Sequence, residues 1–333
     1  MTTKVQSYRN YKFKQKAIPY IFLAPNLFIF SVFIILPAII GILYSFTDRT
    51  LFTFGSANFI GLENYVTIFK DEFFIKALKN TIGLVAVTVP LMFTVALLLA
   101  TLLKQPIKWI GLYRSVYYWP VMISAIVVGI IWQWILAGNY SLFNITLQGL
   151  HRFLTSIGLV SSPFNPSPTL SDGTFAWISV VIAILWSRSG YYMIIFLAAL
   201  LSIPETLYEA AEMDGASRFQ QFRFVTIPSL KAARVMVLIL VTMEIFKIYP
   251  LVVTFTGGGP FKATEFTVQY IYEMAFRYYQ IGQASAMSVV MLIIVTSFSG
   301  LIFFTSKRGE NQWERNVKSS SHKWLHQFSS WLS

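Results

Sequence analysis

Three charged residues stand deep in sequence that is otherwise apolar. Arg188 interrupts residues 175–203, and Glu244 and Lys247 interrupt residues 233–256. Charge inside so apolar a stretch is costly and is kept where it pairs or meets a polar guest. Glu244 and Lys247 are three residues apart and can pair on one helix. Arg188 can then bridge to Glu244 on a neighbouring element. Alternatively, Arg188 and Glu244 offer ionised hydrogen-bonding groups to hydroxyls or carboxylates of a solute. Neither arrangement makes or breaks covalent bonds. The only histidines are His151, His322 and His326, cysteine is absent, and no glycine precedes a lysine. Thiolate metal sites are thereby excluded, and so is a phosphate-cradling Gly-Lys loop. No nucleophile–base pair is evident. The chain reads as a non-enzyme that holds no metal or cofactor of its own.

A second feature is the polar segment "LYEAAEMDGASRFQQFRFVTIPSL", Leu207–Leu230. Ser202-Ile203-Pro204-Glu205 matches a capping box, with proline in the first turn. Leu207, Ala210, Ala211 and Met213 give the helix that follows a partly apolar face. Gly215 suits a left-handed helix stop. Ser217-Arg218-Phe219-Gln220 is a second capping box. Phe219 and Phe222, at i and i+3, share a face flanked by Arg218 and Arg223. Pro228 is expected to disfavour helical Ile227 and end the element. Two short capped helices with paired aromatics predict a docking surface for another protein.

The elements that carry these residues are set by hydropathy. The chain is 56% hydrophobic and 12% charged, about half the charge of a soluble domain. A membrane-spanning helix needs about 20 apolar residues. Residues 17–47, 80–103, 115–138, 175–203, 233–256 and 278–306 qualify. The expected fold is an all-α membrane protein with six transmembrane helices and both termini on one side. Loops on the side of the termini carry 17 Lys and Arg, against seven on the other side. The bias puts the termini and the polar segment in the cytoplasm. The net charge of +12 is therefore a topology signal and not a nucleic-acid surface. The first apolar stretch is too long for a cleavable leader. The expected division is an N-tail over 1–17, a membrane domain over 18–306 with the polar loop at about 202–230, and a C-tail over 307–333. The external loop 139–174, with its proline-rich "SSPFNPSP", is expected to pack over the outer face. In the C-tail, Trp324, Leu325, Phe328, Trp331 and Leu332 form one apolar stripe. With Ser321 as cap and Lys318 and Lys323 nearby, the tail suits a helix lying on membrane lipid.

Glu209-Ala210-Ala211, Asp214-Gly215-Ala216 and Ile227-Pro228 together resemble the "EAA…DGA…P" loop of inner-membrane permease subunits of binding-protein-dependent ABC importers. "GLENY" (Gly61–Tyr65) with Asn80-Thr81 is similar to the first external loop of the carbohydrate branch. "RSVYYWP" (Arg114–Pro120) and Trp132-Gln133-Trp134 are similar to its third span. "TGGGP" (Thr256–Pro260) with Thr264 resembles the segment after the fifth span of the maltose-type larger permease. The resemblance covers about residues 18–306, without the two extra spans and large insert of the maltose protein.

The resemblance implies that the polar loop is a coupling helix seated in a cytoplasmic ATPase. Glu209, Ala210, Ala211, Asp214, Gly215, Ala216, Phe219 and Pro228 would form it. It implies sugar-contact positions at Trp186, Ser187, Arg188 and Tyr191, and at Val241, Glu244, Ile245 and Ile248. The last four have the i, i+3, i+4, i+7 spacing of one helical face. It implies a second homologous permease subunit, two ATPase subunits that bind ATP and Mg, an external solute-binding protein, and a multi-pass location in the bacterial inner membrane. The implied substrate is an oligosaccharide or related polyol. A glycerol phosphate or an anionic sugar such as a uronate, favoured by Arg188, is the alternative within the class. An ion-coupled secondary transporter is the alternative outside it, and it would not need the coupling loop.

Overall fold

The computed structural model describes residues 19, 20, 22–52, 57–106, 108–138, 141–159 and 170–329, with backbone alone over 306–329. It is all-helical: among the described residues the only β pairing is an isolated bridge between Thr47 and Phe59. Two compact units form. One gathers the described residues before Glu72 with Ile271–Val290, and the other joins Glu72–Tyr270 to the residues from Met291 on.

In the first unit, α1 (Phe22–Tyr44) is apolar and exposed along its length. A π-turn over Ser31–Ile35 precedes Pro37, and the Leu36 amide reaches back to the Ser31 carbonyl. Proline lacks an N–H and its ring crowds the carbonyl four residues back. The wider turn relieves that conflict and lets the helix continue. Gly61, at φ +60°, leads into α2 (Glu63–Lys70). Asn64 of α2 donates to the Ser45 and Thr47 carbonyls at 2.9 and 2.8 Å, and Tyr65 shares a 2.7 Å hydrogen bond with Ser45. The "GLENY" stretch thus fastens the end of α1.

The second unit begins with α3 (Glu72–Lys104), eight residues before the expected start. Asn80 and Thr81 therefore lie on a helix and not in a loop. Next come α4 (Ile110–Tyr118) and α5 (Ala125–Leu136), at 98° across the break. The expected third span is not one straight helix. Trp119–Met122 tightens into a 3-10 turn around Pro120, Ile123 is extended, and Ser124 caps α5 through the Val127 amide. The expected external loop contains α6 (Leu142–Ser156), capped by Ser141. The proline-rich stretch 161–168 lies outside the described residues.

After α7 (Gly173–Leu201) come α8 (Glu205–Met213) and α9 (Arg218–Ser229). The chain then bends by 70° into α10 (Lys231–Phe246). The expected fifth span is also interrupted: α10 stops at Phe246, and α11 (Pro250–Phe255) starts afresh. Tyr249 has φ −145° and ψ −63°, outside the helical region, and Pro250 occupies the first helical turn. The residue before a proline resists the helical conformation. α12 (Thr267–Phe276) and α13 (Ile281–Ser329) complete the chain. Since α13 runs unbroken to Ser329, Ser321 caps no new helix. The aromatic stripe of the tail falls among side chains outside those described. Among the described residues, four helices are long and apolar enough to cross a membrane, or up to six if each bent pair is one span.

α3 and α7 pack closely because small residues line both, with Ala77, Ala96, Ala100, Ala176 and Ala183 buried. Small residues let helix backbones approach in lipid. Two glycines mark closer approaches still. A Cβ on Gly129 of α5 would meet Thr254 Oγ1 of α11 at 2.0 Å, and one on Gly190 of α7 would meet the Tyr117 carbonyl of α4 at 2.1 Å.

Candidate functional site

A cavity of about 230 Å³ sits where α10 breaks from α11. Ser187 and Arg188 of α7, Glu244 and Ile245 of α10, and Lys247, Ile248 and Tyr249 of the break line it. Arg188 Nε lies 2.9 Å from Glu244 Oε1. The Tyr192 hydroxyl donates to the other carboxylate oxygen at 2.5 Å. Glu244 is thus engaged by α7 and not by Lys247, which is exposed and has no ion-pair partner among the described residues. The paired side chains are 32% and 36% exposed, so the pair faces open space.

Five of the eight expected solute-contact residues meet at this cavity: Ser187, Arg188, Glu244, Ile245 and Ile248. Three do not line it. Trp186 turns edge-on to Trp132 with ring centroids 6.0 Å apart. Tyr191 packs edge-on to Tyr192 at 5.1 Å. Val241 is fully buried. The expected single face over 241–248 is corrected as well, because the helix ends at Phe246 and Ile248 belongs to the break. Sequence reasoning missed Tyr192 as the carboxylate's second partner. The signal was available: a phenol in an apolar span needs an acceptor, and Glu244 is the acid facing it.

Beyond α11, the "TGGGP" segment forms a clasp. Gly257 and Gly258 have φ of +63° and +87°, which glycine adopts without cost. Thr264 Oγ1 bonds Thr256 Oγ1 and the Gly259 carbonyl, each at 2.7 Å. Asn80 of α3 donates to the Lys262 and Glu265 carbonyls at 3.1 Å, Lys76 donates to Phe261 O at 2.7 Å, and Thr81 Oγ1 receives the Thr267 amide. Asn80-Thr81 and "TGGGP", read as separate sequence marks, are two halves of one fastening.

The polar segment forms a helical hairpin. Pro204, and not Ser202, stands at the N-cap of α8, without a side-chain cap; the Ser202 hydroxyl donates to Ala199 O at the end of α7. The C-terminal stop is as expected. Gly215 has φ +77°, its amide bonds Glu212 O, and the Ala216 amide bonds Ala211 O, each at 2.9 Å. That pair is the Schellman pattern. Ser217 and Gln220 complete the expected capping box. Pro228 does not end the element. A π-turn over Phe222–Thr226 lets the chain stay helical through Ser229, as before Pro37 in α1. The extra residue shifts the register, so Phe219 and Phe224 are the strongly exposed aromatics, whereas Phe222 is half-buried. Leu207 and Met213 are exposed too. Glu209 is exposed, and nothing lies within 4 Å of where a Gly215 side chain would stand.

Tyr208 ties the hairpin down. Its ring lies 4.4 Å from Lys104 Nζ at the end of α3, and its hydroxyl shares a 2.9 Å hydrogen bond with Thr226. Tyr208→Phe should loosen α8 by about 0.5–1.5 kcal/mol. Tyr208→Leu should add about 0.5–1 kcal/mol for the lost cation–π contact. Hydrogen exchange of the α8 amides should therefore quicken in the order wild type, Phe, Leu; equal rates in all three would remove the tie.

The profile of the family described as "Binding-protein-dependent transport system inner membrane component" matches residues 92–308. The chain is 32% identical over 294 residues to the lactose transport system permease protein LacF of Rhizobium radiobacter, covering 86% of this chain and 93% of that one. It is 32% identical over 299 residues to the sn-glycerol-3-phosphate transport system permease protein UgpA of Agrobacterium fabrum, covering 89% and 97%. A chain of a bacterial ABC transporter involved in the import of the acidic polysaccharide alginate aligns with a TM-score of 0.72 at 22% identity, over 90% of this chain and 99% of that one. At that identity the likeness establishes the fold.

Proposed function

From the premise that the chain belongs to the binding-protein-dependent transport system inner membrane component family, we propose that it is one of two permease subunits lining the path of an ATP-driven carbohydrate importer. In this reading six spans cross the bacterial inner membrane, counting each interrupted helix as part of one span, with both termini in the cytoplasm. The membrane domain covers 18–306, and the C-tail continues α13 on the cytoplasmic side. An external solute-binding protein delivers an oligosaccharide or related sugar. Two ATPase subunits bind ATP and Mg and dock on the α8–α9 hairpin through Glu209, Ala210, Ala211, Asp214, Gly215, Ala216, Phe219 and Pro228.

The observation that carries the reading is the Arg188–Glu244 pair in a cavity at a helix break. Irregular backbone inside a membrane is tolerated where it lines a protein or water-filled space. Binding sites of transporters are commonly built from such interrupted helices. Ser187, Arg188, Glu244, Ile245 and Ile248 would meet the solute there. Trp186, Tyr191 and Val241 would act from outside the lining, Trp186 and Tyr191 by offering ring faces as the subunit moves.

Lys247 favours a second reading of the solute. Arg188 and Glu244 neutralise one another, which leaves Lys247 as a net positive charge on the wall. That charge suits an anionic sugar or a glycerol phosphate. The test is ATP hydrolysis by the purified, reconstituted complex against neutral disaccharides, uronate oligomers and glycerol phosphate. Cysteines at 188 and 244 should react with membrane-impermeant reagents and be protected by the stimulating solute. Stimulation by a neutral sugar alone would remove the anionic reading. Cysteines that never react in any transport state would return the pair to a structural role.

A further inference from the structure

A second cavity, of about 310 Å³, opens where the first turns of α10 meet α3 and α13. Lys231 and Arg234, three residues apart on α10, form its cationic wall, and Phe93, Leu238 and Ile302 form its apolar wall. Arg234 Nε is sealed from solvent and has no hydrogen-bond partner among the described residues. Arg234 also makes no ion pair among the described residues. Leu230, at the N-cap of α10, supplies no side-chain acceptor. The positive end of the helix dipole thus adds to both cations.

A guanidinium Nε sealed from water without an acceptor is a demand for one, and a planar fork is best met by a phosphate or carboxylate. The rest of the wall selects among anions. A hydrated inorganic ion would leave Phe93, Leu238 and Ile302 uncovered, whereas an amphiphile covers both halves. We propose that this cavity holds an anionic phospholipid, with its phosphate on Arg234 and Lys231 and its chain along Phe93, Leu238 and Ile302. The assignment rests on the membrane placement given above, which sets the start of α10 at the cytoplasmic surface. Basic pockets between helices on that side suit anionic headgroups.

The test uses the full chain, purified in neutral detergent and stripped of lipid. Phosphatidylglycerol, phosphatidylcholine and inorganic phosphate are titrated in turn, read by native mass spectrometry and by unfolding temperature. Phosphatidylglycerol should give a retained adduct and raise the unfolding temperature, and the other two should do neither. Arg234→Gln should weaken the adduct by about tenfold or more. Leu238→Trp keeps both cations but fills the apolar half, so it should abolish the adduct even if Arg234→Gln does not fold. An adduct unchanged in both variants overturns the proposal. Phosphate acting as well as phosphatidylglycerol overturns the lipid assignment in favour of a free anion. Sugar-stimulated ATP hydrolysis, measured separately in the reconstituted complex, reports on the importer reading alone.

Discussion

Glu244→Leu should cost both stability and transport, whereas Arg188→Leu combined with Glu244→Leu should restore the first and not the second. The single substitution leaves Arg188 without its carboxylate inside an apolar span. An unpaired arginine at a span centre costs about 2.5–3.5 kcal/mol. The pair is about a third exposed, so cavity water should reduce this to about 2 kcal/mol. Unfolding of the purified chain should begin several degrees lower. Removing both charges leaves no uncompensated ion, and a buried pair replaced by apolar groups is often neutral in stability. The double variant should then fold as wild type. Transport should remain lost, because the polar groups offered to the solute are gone. Recovery of transport along with stability would make the pair a strut and move the solute elsewhere.

At Gly215 the expected result is a graded loss of coupling. Gly215 sits at φ +77° with open space around it, so substitution acts through the backbone alone. An L-residue in that conformation costs about 1–2 kcal/mol, and asparagine tolerates it best. Gly215→Asn should keep most transport. Gly215→Ala should lose part of it. Gly215→Val, β-branched and hence worst there, should lose about tenfold or more, since each 1.4 kcal/mol is a factor of ten. In the reconstituted complex, solute should cease to stimulate ATP hydrolysis in the same order. Equal transport by all three would mean that the Schellman turn does not shape the docked surface.

The hairpin was legible because its signals are local. Ser217 and Gln220 find each other within one turn, and Gly215 needs nothing beyond its own helix. The charged pair was legible because an arginine and a glutamate in apolar surroundings have few other options. What the sequence hid was where helices give way. Pro228 and Pro37 look alike to any rule of helix termination, and both are passed by a π-turn whose extra residue leaves no compositional mark. Pro120 and Pro250, in equally apolar company, do interrupt their helices. The difference lies in packing, since Gly129 lets α11 fold against α5 and hold the break open. The choice between Lys247 and Arg188 as the partner of Glu244 was hidden for the same reason. Pairing with Glu244 at three residues' spacing needs a helix that continues past Lys247, and this one stops at Phe246.

The ring of Tyr208 gives the hairpin a mechanical character of its own. The backbone route from α8 into α10 runs through the π-turn and then a 70° bend. That route changes geometry twice before α10 begins. The Tyr208 hydroxyl bypasses the first part of that route by gripping Thr226 at the end of the π-turn, before the bend, while the ring bears on Lys104 at the foot of α3. Through Pro204 the same short helix is joined to α7. A force on α8, whatever applies it, therefore reaches α3 and the π-turn through the Tyr208 side chain, and α7 through the backbone at Pro204. The bend lies beyond all of these attachments, so α10 is the neighbouring long helix that the junction does not hold directly.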